Sequence, residues 1–340
     1  MSNDLWQRFR KSRLGMASLV ILALMYVTAI FAGFIGPYSP TKQNLAKPFH
    51  PPTGFVVKNF WIHVPVYQNV DPAIAAYERV PGQTLPLRLF HDGRLFGVDS
   101  DNPQDRVYLL GSDSTGRCVF SRLLHGARVS LSIGLVGITI TLTIGFLVGS
   151  FSGYMGGITD NISMRLVEFL IAVPSLYLLL ALRGVLADRL GSENMYFVIV
   201  IALALINWAP TARIIRGMAL SLRQRQFVLA AETLGQSKAN ILLKHLLPNL
   251  ASYLLVSATL SIPNYILGEA ALSFLGIGLQ EPDASWGLML SGAQSMKVFQ
   301  LNFWWLLTPG FAIFLAVITF NILGDILRDI IDPRTKNLNP

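Results

Sequence analysis

The sequence predicts an all-α integral membrane protein with six transmembrane helices. Only 14% of the 340 residues are charged, 52% are hydrophobic, and the mean hydropathy is +0.50. Because soluble domains carry about 25% charged residues, this composition favours lipid as the main solvent. A helix needs about 20 apolar residues to cross a hydrocarbon core of roughly 30 Å. Six segments meet or approach that length: 14–35, 129–151, 169–186, 197–209, 250–275 and 303–323.

The distribution of basic residues predicts the orientation. Arg8, Arg10, Lys11 and Arg13 precede the first apolar run, which places the N-terminus in the cytoplasm by the positive-inside rule. Each span reverses the chain, so the basic segment 213–249 and the C-terminal tail also fall in the cytoplasm. The net charge of +8 is then a membrane-protein bias, and because the basic residues are spread over loops, no nucleic-acid partner is expected.

This orientation divides the chain into five parts. They are a cytoplasmic N-terminus (1–13), a first transmembrane helix (14–36), an extended extracytoplasmic insert (37–128), a membrane core (129–327) and a cytoplasmic tail (328–340). The insert begins with Pro48, Pro51 and Pro52 and continues with alternating apolar residues, which predicts a small, partly β structure. The first apolar run ends at Gly36 and Pro37 without an A-x-A site, so it is predicted to be a retained span rather than a cleaved signal.

The most informative segment is a polar, basic stretch at 227–249, between the fourth and fifth apolar runs. A helix over 220–234 is predicted, with Gly235 as the left-handed residue that ends it. Ser237 is suited to cap a second helix, and Pro248 to stop it before the fifth span. This helix–turn–helix would lie on the cytoplasmic face, where the small residues Ala230 and Ala231 would let a partner pack closely. An amphipathic segment resting on lipid headgroups is the alternative.

Two further patterns concern the spans themselves. Glycines recur every four residues on one helix face, which predicts a tight helix–helix contact, although glycine is also common in membrane helices generally; these are Gly145, Gly149, Gly153 and Gly157.

Glu269 lies in the fifth span near Pro263 and Asn264. A charge at the bilayer centre costs about 2.5–3.5 kcal/mol, so these three residues are candidates for a translocation path or gate. The alternative is a carboxyl group satisfied by Ser273 or by backbone.

The sequence contains no recognisable catalytic motif. The loop 111–118 resembles a phosphate-binding loop but lacks the lysine and the hydroxyl that such a loop requires. The five histidines are scattered and Cys118 is the single cysteine, so a metal site is not expected and an intrachain disulfide is impossible. A non-enzymatic membrane protein without a cofactor of its own is predicted.

Several ordered motifs resemble a known family. Before the second span the chain reads LGSDSTGRC…SRLLHGARVSL, and after it GYMGGITD. The fifth span ends in ALSFLG followed by WG, and the chain closes with NILGDILRD…DPR. With the segment 227–249, these motifs resemble the permease subunits of ATP-binding-cassette importers. They are most similar to the second, C-type permease of the dipeptide, oligopeptide and nickel group.

The resemblance implies a type I importer permease fold (MetI-like) in a bacterial inner membrane. It implies a homologous permease, two ATPases carrying ATP and magnesium, an extracytoplasmic solute-binding protein and lipid as partners. By the same resemblance the segment 220–248 couples to the ATPases: Ala230, Ala231 and Gly235 would lie against them, and His245, Leu247 and Pro248 would fix the second arm. Dipeptides or oligopeptides are the expected cargo. Nickel or another small solute, or an ion-coupled secondary transporter, are the alternatives.

Overall fold

The computed structural model of the chain describes residues 2–58, 60–100, 102, 104–190 and 194–331. Most of this part is helical. The α-helices are α1 (Ser2–Lys11), α2 (Arg13–Ile30), α3 (Ala32–Ile35), α4 (Val119–Met155), α5 (Gly157–Ala172), α6 (Ser175–Leu190), α7 (Met195–Arg223), α8 (Gln226–Thr233), α9 (Lys238–Asn240), α10 (Leu247–Phe274), α11 (Trp286–Ser291), α12 (Met296–Gln300) and α13 (Thr308–Ile331). A π-helical stretch (Ile241–Leu246) and two 3₁₀ turns (Gly292–Gln294 and Trp304–Leu307) complete the helical part.

The helical membrane fold predicted from composition is confirmed. Among the described residues, five helices are long and apolar enough to cross a membrane: Arg13–Ile30, Val119–Met155, Met195–Arg223, Lys238–Phe274 and Trp304–Ile331. The remaining predicted span, 169–186, falls on a pair of helices, Gly157–Ala172 and Ser175–Leu186, that bend by 101° at the break between them. Counting that pair as one gives the six predicted crossings.

Pro174 accounts for the break in the third predicted span. A proline has no N–H for the helix ladder and disfavours the α conformation at the residue before it. Val173 is accordingly extended, with φ −79° and ψ 127°. Each of α5 and α6 has 16 residues, about 24 Å of helix, which is short of a full crossing. The sequence pattern of apolar residues alone gave no sign of this bend.

Two compact units make up the chain. The first comprises residues 1–19, 133–268 and 317–340. Its core lies where the ends of α4 and α7 pack on α8 and on the start of α10; the buried members are Phe146, Tyr154, Ile215, Ala219, Val228, Ala231, Ile241, Leu246 and Leu250. A second cluster joins α5 to α7 through Val167, Trp208, Ala209 and Ala212.

The second unit comprises residues 20–132 and 269–316. It contains a four-stranded antiparallel sheet in the order β1 (Val56–Lys58), β2 (Trp61–Asp71), β3 (Ala76–Leu89) and β4 (Phe96–Val98). The strands fall in the segment where alternation of apolar residues predicted β structure. Beside the sheet, Phe49 stacks on Phe303 with ring centroids 4.8 Å apart.

His50 is the centre of the packing beside the sheet. Its ring lies 4.8–5.0 Å from the rings of Tyr67, Tyr77 and Tyr108, and its Nδ1 lies 2.6 Å from the carbonyl oxygen of Pro51. Burial disfavours the imidazolium and lowers the pKa of His50 to about 4, although the Pro51 carbonyl opposes this in part. The imidazole is therefore neutral near pH 7.

The predicted cytoplasmic tail, 328–340, is described only as far as Ile331, where α13 ends. Asp332, Pro333, Arg334 and Lys336 lie outside the described residues, as do residues 191–193 between α6 and α7. The first predicted span corresponds to α2 and the short α3, which follows it after a turn at Phe31.

Candidate functional site

The segment between α7 and α10 folds as a short helix, a turn and a second helical arm, called here the α8–α9 hairpin (residues 226–246). Gly235 has φ +73° and follows the end of α8. The N–H of Gln236 donates to the Ala231 carbonyl over 3.1 Å, and the N–H of Gly235 to the Glu232 carbonyl over 2.9 Å. This pair of hydrogen bonds is a Schellman motif, which terminates a helix at a left-handed glycine.

Ser237 begins the second arm. Its side chain accepts a hydrogen bond from the backbone N–H of Asn240 over 3.3 Å, the N-cap contact expected of serine. The first arm starts later than the sequence suggests. Arg225 is extended, with φ −78° and ψ 142°, so the predicted helix 220–234 is split between the end of α7 and α8.

Pro248 does not end the second arm. The helical stretch Lys238–Phe274 is continuous, with residues Ile241–Leu246 forming wider π turns just before the proline. A proline ring clashes with the carbonyl four residues earlier and has no N–H to bond it, and a wider turn relieves that clash. The second arm of the hairpin is therefore the N-terminal extension of the fifth span.

One face of the hairpin packs against the rest of its unit. Val228 and Ala231, three residues apart on α8, are buried against Ile241 and Leu246 of the second arm. Ala231 is only 3% exposed, so its small side chain serves packing within the chain, and the expectation that it faces a partner is not met. The spacing of Val228 and Ala231 puts both on the inner face of α8.

The opposite face of the hairpin is exposed and partly apolar. Ala230 and Gly235 lie on it, and a methyl group built on Gly235 would meet no atom within 4 Å. Leu234 is 79% exposed beside them. Exposed basic residues lie in the hairpin and just before it; they are Arg223, Arg225, Lys238 and Lys244. An exposed apolar surface in a basic segment is suited to receive another protein.

His245 connects the two arms of the hairpin. Its Nε2 lies 2.9 Å from Oε1 of Gln236, and its ring centroid lies 6.3 Å from that of Phe227. Leu247 is half-buried against the same core and Pro248 is exposed. The sequence singled out His245, but Gln236 and Phe227 carried no signal, because their partnership depends on how the turn brings the arms together.

Glu232 and Tyr154 attach the hairpin to the end of α4. The Tyr154 hydroxyl donates to Oε1 of Glu232 over 2.6 Å, and the Arg223 guanidinium lies over the Tyr154 ring at 5.9 Å. Nearby, Arg216 of α7 forms a two-pronged ion pair with Asp160 of α5, and the Ser152 hydroxyl donates to Asp160 over 2.6 Å. These polar contacts link α4, α5 and α7 to one another and, through Glu232, to α8 of the hairpin.

Three of the four predicted glycines lie in a tight contact between α4 and α7. A methyl group on Gly153 would come within 2.6 Å of the Arg216 carbonyl oxygen, and one on Gly149 within 3.0 Å of Ile215 Cβ. Gly145 faces Thr211 in the same way. Gly157 is different: it starts α5 with φ +60°, and a methyl group added there would have nothing within 4 Å, because α4 has ended at Met155.

Glu269 is fully buried in the second unit. Ser273 donates to its Oε1 over 2.8 Å and Ser130 to its Oε2 over 3.2 Å. The backbone N–H of Trp286 donates in turn to Ser130 Oγ over 3.2 Å. Hydroxyl groups therefore satisfy the carboxyl group of Glu269. A carboxyl group satisfied by Ser273 was the predicted alternative to a path or gate.

Asn264 is exposed on α10, whereas Pro263 beside it is buried. Ser257 and Ser261, at i and i+4, share the face of Asn264, at i+7. Ser257 and Ser261 also line a groove of about 500 Å³ with Tyr253 and with Arg328 of α13. Glu269 lies five positions after Asn264, which on a helix is about 140° of rotation, so these two side chains do not act on the same surface.

An ion cluster in the second unit links the chain before α4 to the loop after α10. Arg117 donates through Nε to Asp113 over 2.7 Å and through Nη2 to Glu281 over 3.0 Å. Arg122 is 2% exposed and donates to the same Glu281 over 3.0 Å. Within the described ranges, no group of three or more His, Cys, Asp or Glu side chains is placed to hold a metal ion.

Comparison with known families matches two parts of the chain. Residues 145–337 match the family described as binding-protein-dependent transport system inner membrane component. Residues 1–52 match the N-terminal TM domain of oligopeptide transport permease C.

Individual relatives align over most or all of the chain. The chain is 32% identical to the dipeptide transport system permease protein DppC of Bacillus subtilis, over 98% of this chain and 86% of that protein. It is 34% identical to the oligopeptide transport system permease protein OppC of the same organism, over 98% and 92%. With OppC of Haemophilus influenzae it shares 41% identity over 67% and 71%. A solved structure of the inward-facing MetNI methionine ABC transporter matches 62% of this chain and 96% of that chain, with a TM-score of 0.47 and 19% identity.

Proposed function

The chain belongs to the family of binding-protein-dependent transport system inner membrane components, and we propose that it is the permease subunit of an ATP-driven importer for dipeptides or oligopeptides. The peptide cargo rests on the named activities of its relatives. The observation that carries the mechanism is the α8–α9 hairpin, which is buried on one face and exposed on the other. A hairpin with one exposed face and one buried face can bind a separate protein on the exposed side and transmit its movement to the helix bundle.

We assign the partners by their tasks. A homologous permease completes the translocation path, two cytoplasmic ATPases hold ATP and Mg²⁺, and an extracytoplasmic solute-binding protein delivers the cargo. The chain has no catalytic role in this scheme. Both termini and the hairpin lie in the cytoplasm, which is supported by Arg8, Arg10, Lys11 and Arg13 at the N-terminus and by the basic residues in and just before the hairpin.

The exposed face of the hairpin is the proposed ATPase contact. Ala230, Leu234 and Gly235 form its centre, since a bare backbone and small side chains permit close approach of a partner. Ala231 and Leu247 have a supporting role, because they face the core of the unit rather than solvent. His245 and Pro248 shape the second arm, through the Gln236 contact and the wide turn respectively.

Movement of the hairpin is passed to the spans through short connections. The second arm continues directly into α10, and Glu232 is hydrogen-bonded to the end of α4. When the ATPases close around ATP, the hairpins follow them and the permease pair changes from inward-facing to outward-facing. ATP needs only a differential affinity for the two states; a change from 1:99 to 99:1 takes about 5.5 kcal/mol.

The translocation path is proposed to follow the polar face of α10. Asn264, Ser257 and Ser261 form this face, and Pro263 prevents one regular hydrogen bond in the same helix. Glu269 has a structural role rather than lining the path: it holds α10 to Ser130 of α4 at a buried position. The described residues of this polar face include no exposed carboxylate within the membrane. An ion-coupled transporter would require such a group.

The ATPase contact is tested by Gly235→Arg, with Gly235→Asn as the matched control. Asparagine tolerates the left-handed backbone and adds little bulk, so it separates backbone strain from obstruction. We expect Gly235→Arg to weaken co-purification of the ATPases at least about tenfold, or about 1.4 kcal/mol, and to abolish uptake, while Gly235→Asn retains both. Retention of both by Gly235→Arg would refute the assignment.

The cargo is tested separately by growth of a deletion strain. We expect the strain to lose growth on defined dipeptides or oligopeptides as sole source of a required amino acid, and to keep growth under nickel limitation. The opposite pattern would replace peptides with nickel while leaving the coupling mechanism intact.

A further inference from the structure

One end of the β-sheet carries a cluster of large apolar side chains exposed to solvent. Phe60 and Trp61, at the β1–β2 turn, are 103% and 70% exposed; Leu89 and Phe90, where β3 leads into β4, are 68% and 72% exposed. Single exposed apolar residues are ordinary on proteins, but a contiguous group marks a contact surface. These four residues are called here the aromatic end of the sheet.

The strand register explains why the four side chains lie together. Lys58 pairs with Trp61, and Leu89 pairs with Phe96. His63 of β2 pairs with Pro86 of β3, so the β1–β2 and β3–β4 turns are at the same end of the antiparallel sheet. The β2–β3 turn, after Asp71, is at the opposite end.

The aromatic end adjoins the end of the first transmembrane helix. The N–H of Leu95 donates to the Phe34 carbonyl over 2.8 Å, and Arg94 donates to the Gly36 carbonyl over 2.8 Å. The rings of Phe34 and Phe90 are 6.2 Å apart. Because α2 has 18 residues, about 27 Å of helix, Phe34 lies close to the edge of a hydrocarbon core of roughly 30 Å.

The apolar surface is continuous from the span to the sheet. The apolar stretch of α2 is 22% buried, the smallest share among the five spanning helices of the described residues, so the rest of the chain leaves most of this helix uncovered. Its exposed side chains continue through Ile30, Phe31 and Phe34 to Phe90. Aromatic rings at this level match the belt that tryptophan and tyrosine form at membrane interfaces.

We propose that the aromatic end lies in the lipid bilayer, with its rings at the boundary between headgroups and acyl chains. The exposed Lys58, next to the turn, is placed to reach lipid phosphates while its aliphatic stem stays with the rings. Lipid is the occupant because the surface continues the lipid-facing side of α2. The sheet is thereby held against the membrane, and its far end projects into solution.

Depth-dependent quenching tests this proposal on the full chain in its complex. An environment-sensitive fluorophore is attached through Phe60→Cys, and in a matched variant through Ile74→Cys, an exposed apolar position at the far end of the sheet. The native Cys118 is buried, so wild type measures the background labelling. The complex is reconstituted in vesicles of phosphatidylethanolamine and phosphatidylglycerol in equal amounts, with nitroxide lipids labelled either near the headgroup or near the chain end.

We expect the emission at position 60 to shift to the blue and to lose intensity with the headgroup-labelled lipid, and less with the chain-end label. Emission at position 74 stays unquenched. Equal, unquenched emission at both positions overturns the proposal. The proposal is also overturned if the emission at position 60 shifts to the blue only when the solute-binding protein is added, since the surface would then be a protein contact.

A second measurement needs no labelling and guards against misfolding of the cysteine variants. Brominated lipids quench tryptophans near the membrane, and the difference between wild type and Trp61→Phe isolates the signal of Trp61. We expect this difference emission, wild type minus Trp61→Phe, to be quenched when brominated lipid replaces unlabelled lipid. A difference emission that brominated lipid leaves unchanged overturns the proposal.

Discussion

The hydroxyl of Tyr154 donates a hydrogen bond to Oε1 of Glu232, with 2.6 Å between the two oxygens. Tyr154 lies at the end of α4 and Glu232 on α8, 78 residues apart in the chain. Tyr154 also belongs to the buried cluster that contains Val228 and Ala231 of α8. A displacement of the hairpin is therefore passed to α4 as well as to α10, which continues from its second arm.

The first prediction concerns this hydrogen bond. Tyr154→Phe and Glu232→Ala each remove this hydrogen bond, and each should reduce the stimulation of ATP hydrolysis by substrate-loaded binding protein, because the hairpin then moves with less effect on α4. A double-mutant cycle should give a coupling of about 1.5–3 kcal/mol, the range for a hydrogen bond to a charged group. Thr233→Val is the control, since Thr233 is exposed and bonds only within α8. A coupling near zero would contradict the role of this pair.

The second prediction concerns the contact between α4 and α7. Gly149→Val should destabilise the protein by about 1–3 kcal/mol, because the added side chain meets Ile215 and the Ala212 backbone. Gly217→Val is the matched control: Gly217 is also helical, yet a methyl group added there would have no neighbour within 4 Å. Thermal unfolding in detergent measures both variants. Equal stability of the two would show that the glycine spacing is incidental.

The third prediction separates structural and transport roles of Glu269. Glu269→Gln should keep uptake, since an amide can satisfy Ser130 and Ser273. Glu269→Leu should lower stability by about 1–3 kcal/mol, because the buried hydroxyl groups lose their acceptor. Uptake and thermal unfolding are measured together. Loss of uptake in a normally stable Glu269→Gln protein would instead indicate a charge needed in the path.

The fourth prediction concerns pH and His50. The pKa is about 4 in the folded protein and about 6.5 in an unfolded chain, so the unfolded state binds the proton more readily between these values. The neutral imidazole contributes stability that is complete above pH 6.5 and is lost as the pH falls towards 4, roughly 3 kcal/mol in all. Hydrogen exchange of β2 and β3 over this pH range should report the loss. His50→Gln should flatten the profile, and an unchanged profile in that variant would assign the loss to other groups.

Local rules predicted much of the hairpin correctly. Gly235 ends α8 in the left-handed conformation and Ser237 caps the next arm, because both effects depend on a few neighbouring residues. Pro248 was misread as a helix stop, since the π turn that accommodates it arises from the continuity of the second arm with α10. Ala231 was expected to be available to a partner, but the side on which α8 packs is set by residues distant in the chain.

In the membrane spans, too, local features were predictable from the sequence and long-range contacts were not. The apolar runs located the membrane helices, but hydropathy did not reveal the bend at Pro174, where the chain stays apolar on both sides. The pairings of Tyr154 with Glu232 and of Ser130 with Glu269 had no sequence signal, because each joins residues separated by more than 75 positions. In the insert, alternation located β1 and β2, whereas the position of the aromatic end followed only from the register.

The central claim is that the exposed face of the α8–α9 hairpin lies in the cytoplasm and binds the ATPases. Ala230→Cys places a thiol on that face, with Ile74→Cys as a control in the insert and the buried Cys118 as background. A membrane-impermeant maleimide should modify position 230 only in inside-out vesicles, and only after the ATPases are stripped, while position 74 reacts in spheroplasts. Modification of position 230 from the outside of spheroplasts, or equal modification with the ATPases bound, would contradict the claim.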